Sequence, residues 1–314
     1  MQTLGVRTDL ALEAHDALRA QTGQEIPGVI VDRQNFAHGL VTTVEIVDEY
    51  GEAVMGRPKG KYITIEASVI RENNRQAHGE VVKVFAQVLT GLFQLPEQAN
   101  VLVVGLGNWN ATPDALGPRV VKHTLVTRHL YQYAPEEVQE GMRSVSALAP
   151  GVLGITGIET AEIIRGVVES IKPELVIAVD ALAAGSVERI ASSIQLCDTG
   201  ISPGSGIGNK RRGITEEEIG VPVISVGVPT VVHAALIAGD AINKLYESYN
   251  RTPPDQQTLD QIIGQLLQPF GGHLMVTPKE IDELIQNCAR IIAGGISSAL
   301  HPGVPAEEYS TYLH

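Results

Sequence analysis

The chain has 314 residues, 44% of them hydrophobic and 4% aromatic, with a formal net charge of -13. That is apolar material for one large core or two modest ones, and many Val, Ile, Ala and Gly beside few aromatics suit layered α/β packing better than an all-β sandwich. The only compact basic cluster is Lys210, Arg211 and Arg212, so the acidic chain repels a phosphate backbone and no direct nucleic-acid partner is expected, whereas a basic protein is compatible.

The first twenty residues carry acids and no apolar core, so they do not read as a secretory signal. No apolar run approaches the length that crosses a bilayer. Cys197 and Cys288 are too few and too far apart for a disulfide framework or a cysteine zinc site, which points to a reducing, cytoplasmic compartment. Residues 39–51 and 60–68 alternate as strands do, around the turn-prone GRPKG, and predict a β-ribbon. Residues 77–94 carry apolar side chains at 81, 82, 85, 88, 89 and 92, a helical period. The strand VLVVGLGN then opens an α/β rhythm. It continues through helical VVKHTLVTRHLY and ETAEIIRGVVESI, the strands LVIAVD and PVISVGVP, and a helix expected from Thr230 to Tyr249.

YNRTPPDQQT breaks both periods and reads as a surface excursion. Thr277, Pro278 and Glu280 spell a capping box that opens the helix IDELIQNCARIIA. No linker between independent domains and no fixed repeat is evident. The expected architecture is a three-layer α/β domain, its mostly parallel or mixed sheet covered by helices, with an added N-terminal β-ribbon.

Two Asp-Ala-Leu tripeptides, each following a buried strand, carry Asp114 and Asp180. Either aspartate could be an ordinary first-turn acid, with Thr112 capping the helix in the first case. Their shared placement favours a site, because ligands of open α/β sheets gather at the carboxyl ends of strands. A close carboxylate pair can activate water, since like charges resist joint ionisation and one acid stays protonated beside its basic partner. GLGN lacks the third glycine of a dinucleotide fingerprint, and PGSGIGNKR lacks the order of a Walker loop, reading instead as a loop near the strand ends. Asp198-Thr199-Gly200 spells an aspartic-protease tripeptide, but the α/β context makes it a turn. His233, after the last clear strand, could complete a metal site with Asp114 and Asp180. No Gly-x-Ser-x-Gly elbow is present.

The segments VRTDLALEAH, LVVGLGNWNATPDALGP, SALAPGVLGITGIET, VIAVDALAAGS, CDTGISPGSGIGNKR, VPVISVGVPTVV and MVTPKEID closely resemble the spore germination protease family. The resemblance implies an atypical aspartic endopeptidase that needs no cofactor, acts in the forespore and spore core, and starts the degradation of small acid-soluble spore proteins. It implies catalytic roles for Asp114 and Asp180. It further implies a homotetramer, and a zymogen that cuts itself between Asp9 and Leu10, so that residues 1–9 are a propeptide and residues 10–314 a single peptidase domain. A more distant likeness to hydrogenase maturation proteases, in the strand and turn of GLGNWNATPDALG, implies metal contact at the same acidic positions. A non-catalytic binding protein on this fold is the third alternative, and intact aspartates with an intact processing sequence argue against it.

Overall fold

The computed structural model describes residues 8–202 and 212–305, and within them one mixed sheet organises the chain. Its strands are β1 (Val29–Phe36), β2 (Gly39–Ile46), β3 (Gly60–Glu66), β4 (Asn100–Gly105), β5 (Ser144–Leu148), β6 (Leu175–Ala184), β7 (Ser193–Cys197), β8 (Val223–His233) and β9 (Met275–Val276). The order across the sheet is β1-β2-β3-β7-β8-β6-β4-β5, with β9 paired to β8. Strands β5, β4, β6 and β8 run parallel, while β7 is antiparallel to both β8 and β3. The expected N-terminal ribbon is therefore one wing of a continuous sheet. Buried on both faces, β6 and β8 are nearly uninterrupted apolar runs, as central parallel strands are.

Helices cover both faces, giving three layers. On one face α3 (Arg75–Thr90), α4 (Leu116–His123) and α11 (Ile281–Leu300) pack over Ile177, Val179, Ile194, Leu196, Ile224 and Val226. The buried stripe of α3 is Ala77, Val81, Phe85 and Leu89, spaced by one turn. Gly295 of α11 lets the Phe85 ring approach its backbone, since a Cβ there would lie 2.2 Å from Phe85 Cδ1. On the opposite face, α7 (Thr160–Ile171) and α8 (Glu216–Ile219) cover the parallel half through Ile164, Val168 and Ile219. There α1 (Ala11–Thr22) and α2 (Glu49–Met55) cover the antiparallel wing through Ala11, Leu12 and Met55. Short α5 (Arg128–Tyr133) and α6 (Leu153–Thr156) lie in the connections around β5, and α9 (Ala234–Ser248) packs on α10 (Gln256–Leu267) through Ala235, Ile263 and Leu267.

Several expected boundaries shift for local reasons. Residues 49–51, read as the end of a strand, open α2, because the Asp48 carboxylate accepts from Gly51 N–H at 2.8 Å and caps it. The helix expected over 120–131 breaks into α4 and α5 at Thr124–Thr127, where Thr127 Oγ1 accepts from Val145 N–H at 2.9 Å and ties the break to β5. The helix expected from Thr230 begins at Ala234, because β-branched Thr230, Val231 and Val232 continue β8, where Val231 and Val232 pair with β6 and Val232 also with β9. The helix after Pro278 is present but the capping box is not: Thr277 Oγ1 donates instead to Thr230 C=O at 2.8 Å, and no side chain caps α11. The excursion at 249–255 is a connection, and Asp255 caps α10.

Candidate active site

Strand parity leaves one stretch of the sheet without a helical lid. Val176 and Ala178 of β6 face α7, so Asp180, two residues further, points to that same side beyond the helix. In register across the sheet, Asp180 pairs with Gly227 of β8 and Gly227 with Gln195 of β7, so Asp180, Gly227 and Gln195 form one row. Their side chains share a face, and strands two apart put the ends of the row about 10 Å from each other. Cys197, Ser225 and Tyr62 extend this floor between the two helical covers, and the cavity above it holds about 640 Å³. Gly227 lets the Leu182 side chain, which also lines the cavity, lie against β8, because a Cβ there would lie 2.5 Å from it.

Asp180 is 6% exposed and lies inside β6, not in the first turn of a helix; its Oδ1 accepts from Ala181 N–H at 2.9 Å. Asp114 reaches the same cavity from the end of β4. Thr112–Asp114 form a single 3-10 turn with no side-chain cap, so Thr112 does not serve as one. The turn is bound back to the glycine pair: Asn108 N–H donates both to Asp114 Oδ2 at 2.9 Å and to Asp114 C=O at 3.1 Å. Gly107, at φ +110°, makes this possible, because a Cβ there would lie 2.0 Å from the Asp114 carbonyl oxygen. GLGN is thus a turn that presents Asp114.

The third contributor is the N-terminal segment itself. Asp9 lines the cavity with the two aspartates. Its N–H donates to Ala183 C=O at 3.3 Å and its Oδ2 accepts from Ala183 N–H at 2.9 Å. Arg57 donates to Thr8 C=O at 2.9 Å while stacking 5.9 Å from the centre of the Tyr62 ring. Gln195 contacts both sides of the Asp9–Leu10 bond, donating from Nε2 to Asp9 C=O at 3.3 Å and accepting at Oε1 from Ala11 N–H at 2.7 Å. Leu10 and Ala11 are fully buried. Glu13, one turn into α1, accepts from Thr8 Oγ1 and from Gly185 N–H and pairs with Arg189 Nε at 3.3 Å. Burial raises the Glu13 pKa against these partners.

Other candidates do not join this group. His233 is not among the lining residues. Its Nδ1 accepts from Ala235 N–H at 3.1 Å and so caps α9, and burial followed by neighbouring His273 lowers its pKa. Among the described residues no three His, Cys, Asp or Glu side chains are grouped to hold a metal ion, so Asp114, Asp180 and His233 do not form the expected alternative set. Asp198-Thr199-Gly200 is a turn: Asp198 Oδ1 accepts from Lys61 N–H at 2.8 Å, Thr199 donates to Tyr62 Oη, and Gly200 has φ +78°. Burial pushes Tyr62 up to about 12, so it remains a neutral wall. Residues 203–211, the glycine-rich loop with Lys210 and Arg211, and residues 1–7 of the expected propeptide lie outside the described residues. Gln195, Arg57 and Tyr62 were not legible as site residues. The available signal was the alternation Ser-Ile-Gln-Leu-Cys, a half-polar strand that aims Ser193, Gln195 and Cys197 to one face.

The model of the germination protease family matches residues 7–258 and 253–313. A germination protease of Caldanaerobacter subterraneus subsp. tengcongensis is 50% identical over 323 residues, covering 99% of both chains. That of Clostridium tetani is 43% identical, covering 99% of this chain and all of the relative, and that of Bacillus thuringiensis subsp. konkukian is 41% identical, covering 98% and 97%. Family match and full-length relatives agree with the segments that carry the sequence resemblance, and the chain belongs to the germination protease family, whose members are endopeptidases.

Proposed function

We propose that this protease hydrolyses its substrates with Asp114 and Asp180, and that its first substrate is its own Asp9–Leu10 bond. The observation that carries the reading is that Asp114, Asp180 and Asp9 line a single cavity, with the chain on both sides of the Asp9 carbonyl held by hydrogen bonds. Water adds to the Asp9 carbonyl carbon while one aspartate takes its proton. Collapse breaks the C–N bond, and the other aspartate protonates the leaving nitrogen of Leu10. The pair titrates as a unit, so the base is assigned to the dyad and not to one member.

Small acid-soluble spore proteins are the proposed substrates in trans, cut after an acidic residue and before an apolar one. Residues 1–9 act as the propeptide, and the site of action is the forespore and spore core. Among the described residues no helix is long and apolar enough to cross a membrane. A homotetramer is supported by apolar side chains left uncovered on the C-terminal helices, with Leu245, Tyr249, Leu266 and Phe270 each more than half exposed.

Asp114→Asn and Asp180→Asn test the reading. Each variant keeps its fold and loses about 10³-fold or more in cleavage of spore proteins, and N-terminal sequencing finds LALEAHDAL only in the incubated wild type. Full activity in either well-folded variant removes that aspartate from the mechanism.

A further inference from the structure

Resting on the reading of Asp9–Leu10 as the first bond cut, we infer that the Gln195 side-chain amide is the oxyanion donor of this protease and reads the backbone register of its substrate. One amide contacts two points of the peptide. Nε2 donates to the carbonyl oxygen on the acidic side of the bond at 3.3 Å, and Oε1 accepts from the N–H two residues later at 2.7 Å. Both contacts are to main-chain atoms, so any acidic–apolar–small sequence in the same conformation offers them.

Three features fit Gln195 for this work. It is 8% exposed, so its donor acts where water screens little. It stands on a central strand paired on both sides, with Thr64 of β3 and Gly227 of β8, which fixes its backbone. It ends the row Asp180–Gly227–Gln195, so Gly227, with the Leu182 side chain lying over it, separates the donor from the carboxylate by two strand spacings, about 10 Å. As water adds to the Asp9 carbonyl carbon, the C=O π pair moves onto oxygen, and the Gln195 N–H holds that charge until collapse restores the carbonyl and expels the Leu10 nitrogen. The proton balance is carried by the aspartates, so Gln195 neither gains nor loses a proton.

Gln195 also satisfies the first free N–H of α1, and a purely structural cap is the competing role. Gln195→Glu keeps an acceptor for Ala11 N–H and removes the donor; Gln195→Met removes both at similar length. The full chain and both variants are assayed on a synthetic peptide LGVRTDLALEAHD, reading kcat and KM separately, with thermal denaturation beside them. The expected result is a kcat lower by about 10²–10³-fold in both variants, with KM within a few fold in Gln195→Glu and the melting temperature of that variant close to wild type. Wild-type kcat in either folded variant overturns the assignment and leaves Gln195 as a helix cap. If the wild type itself does not cut the peptide between Asp and Leu, the underlying reading of the bond fails, and this inference with it.

Discussion

Gly107→Ala tests how Asp114 is held. At φ +110° an alanine is strained by about 1–2 kcal/mol, and its Cβ would lie 2.0 Å from the Asp114 carbonyl oxygen, which must retreat by about 1 Å to reach even the closest tolerated contact of 3.0 Å. Forcing that displacement costs a further ~1–3 kcal/mol. The total, about 2–5 kcal/mol, is a substantial part of a typical folding stability of roughly 5–15 kcal/mol. The effect on chemistry is separate from the effect on folding and of similar size, because the same shift moves the Asp114 carboxylate away from Asn108 N–H, and a misplacement of about 1 Å in the proposed catalytic group costs on the order of 10²-fold in rate, about 2.7 kcal/mol. Urea denaturation followed by circular dichroism gives the first quantity, and cleavage of a peptide spanning Asp9–Leu10, under conditions where the variant is fully folded, gives the second. A variant that loses stability but keeps wild-type cleavage refutes the claim that this turn positions a catalytic group, and one that loses neither refutes the steric argument.

Two further outcomes concern the frame around the site. Burial pulls His301 down from 6.5 to about 4, so the folded state holds it neutral; its stabilising share is complete above about pH 6.5 and is lost as pH falls through 4, amounting to ~3 kcal/mol. Urea midpoints at pH 7.5 and 4.5 should therefore converge in His301→Asn relative to wild type. Arg189 pairs with Glu13 at 3.3 Å and with Glu66 at 2.7 Å, and Arg189→Met leaves the largely buried Glu13 carboxylate without its cation at a cost of about 2 kcal/mol. Because burial already raises the Glu13 pKa above 4.5, that cost is greatest at neutral pH and is relieved as acid protonates the carboxyl, which paired melts at pH 7 and pH 5 measure.

The α/β rhythm and both aspartates were legible because buried parallel strands are written as unbroken Val, Ile and Ala runs. The sequence reading puts Asp180 at the end of such a run, whereas it lies inside β6: its successors Ala181–Ala184 have good helix propensity and nevertheless continue the strand, because β8 is long enough to pair with them through a bulge at Leu182/Ala183. Tertiary pairing overrides local propensity there. The same β8 hides Thr230–His233 from a helical reading. Gln195 was illegible for a different reason: its meaning depends on Gly227 and Asp180 standing in register with it, and no spacing along the chain encodes a row across three strands. Nor does the string Thr-Asp-Leu-Ala announce that its backbone will be hydrogen-bonded by residues 183 and 195.

The antiparallel seam between β3 and β7 sets a timetable. Glu66 pairs with Ser193 and Tyr62 with Cys197, so more than a hundred residues must leave the ribosome after β3 before its partner exists. At roughly 5–20 residues per second that is a wait on the order of ten seconds, during which the inner edge of the N-terminal wing is an open template for foreign strands. Asp9 waits with it, since Ala183 and Gln195 are synthesised in the same late stretch. A nascent chain therefore cannot seat its own N-terminal segment until the two halves of the sheet have been stitched together, and premature self-recognition on the ribosome is ruled out by the order in which the strands are made.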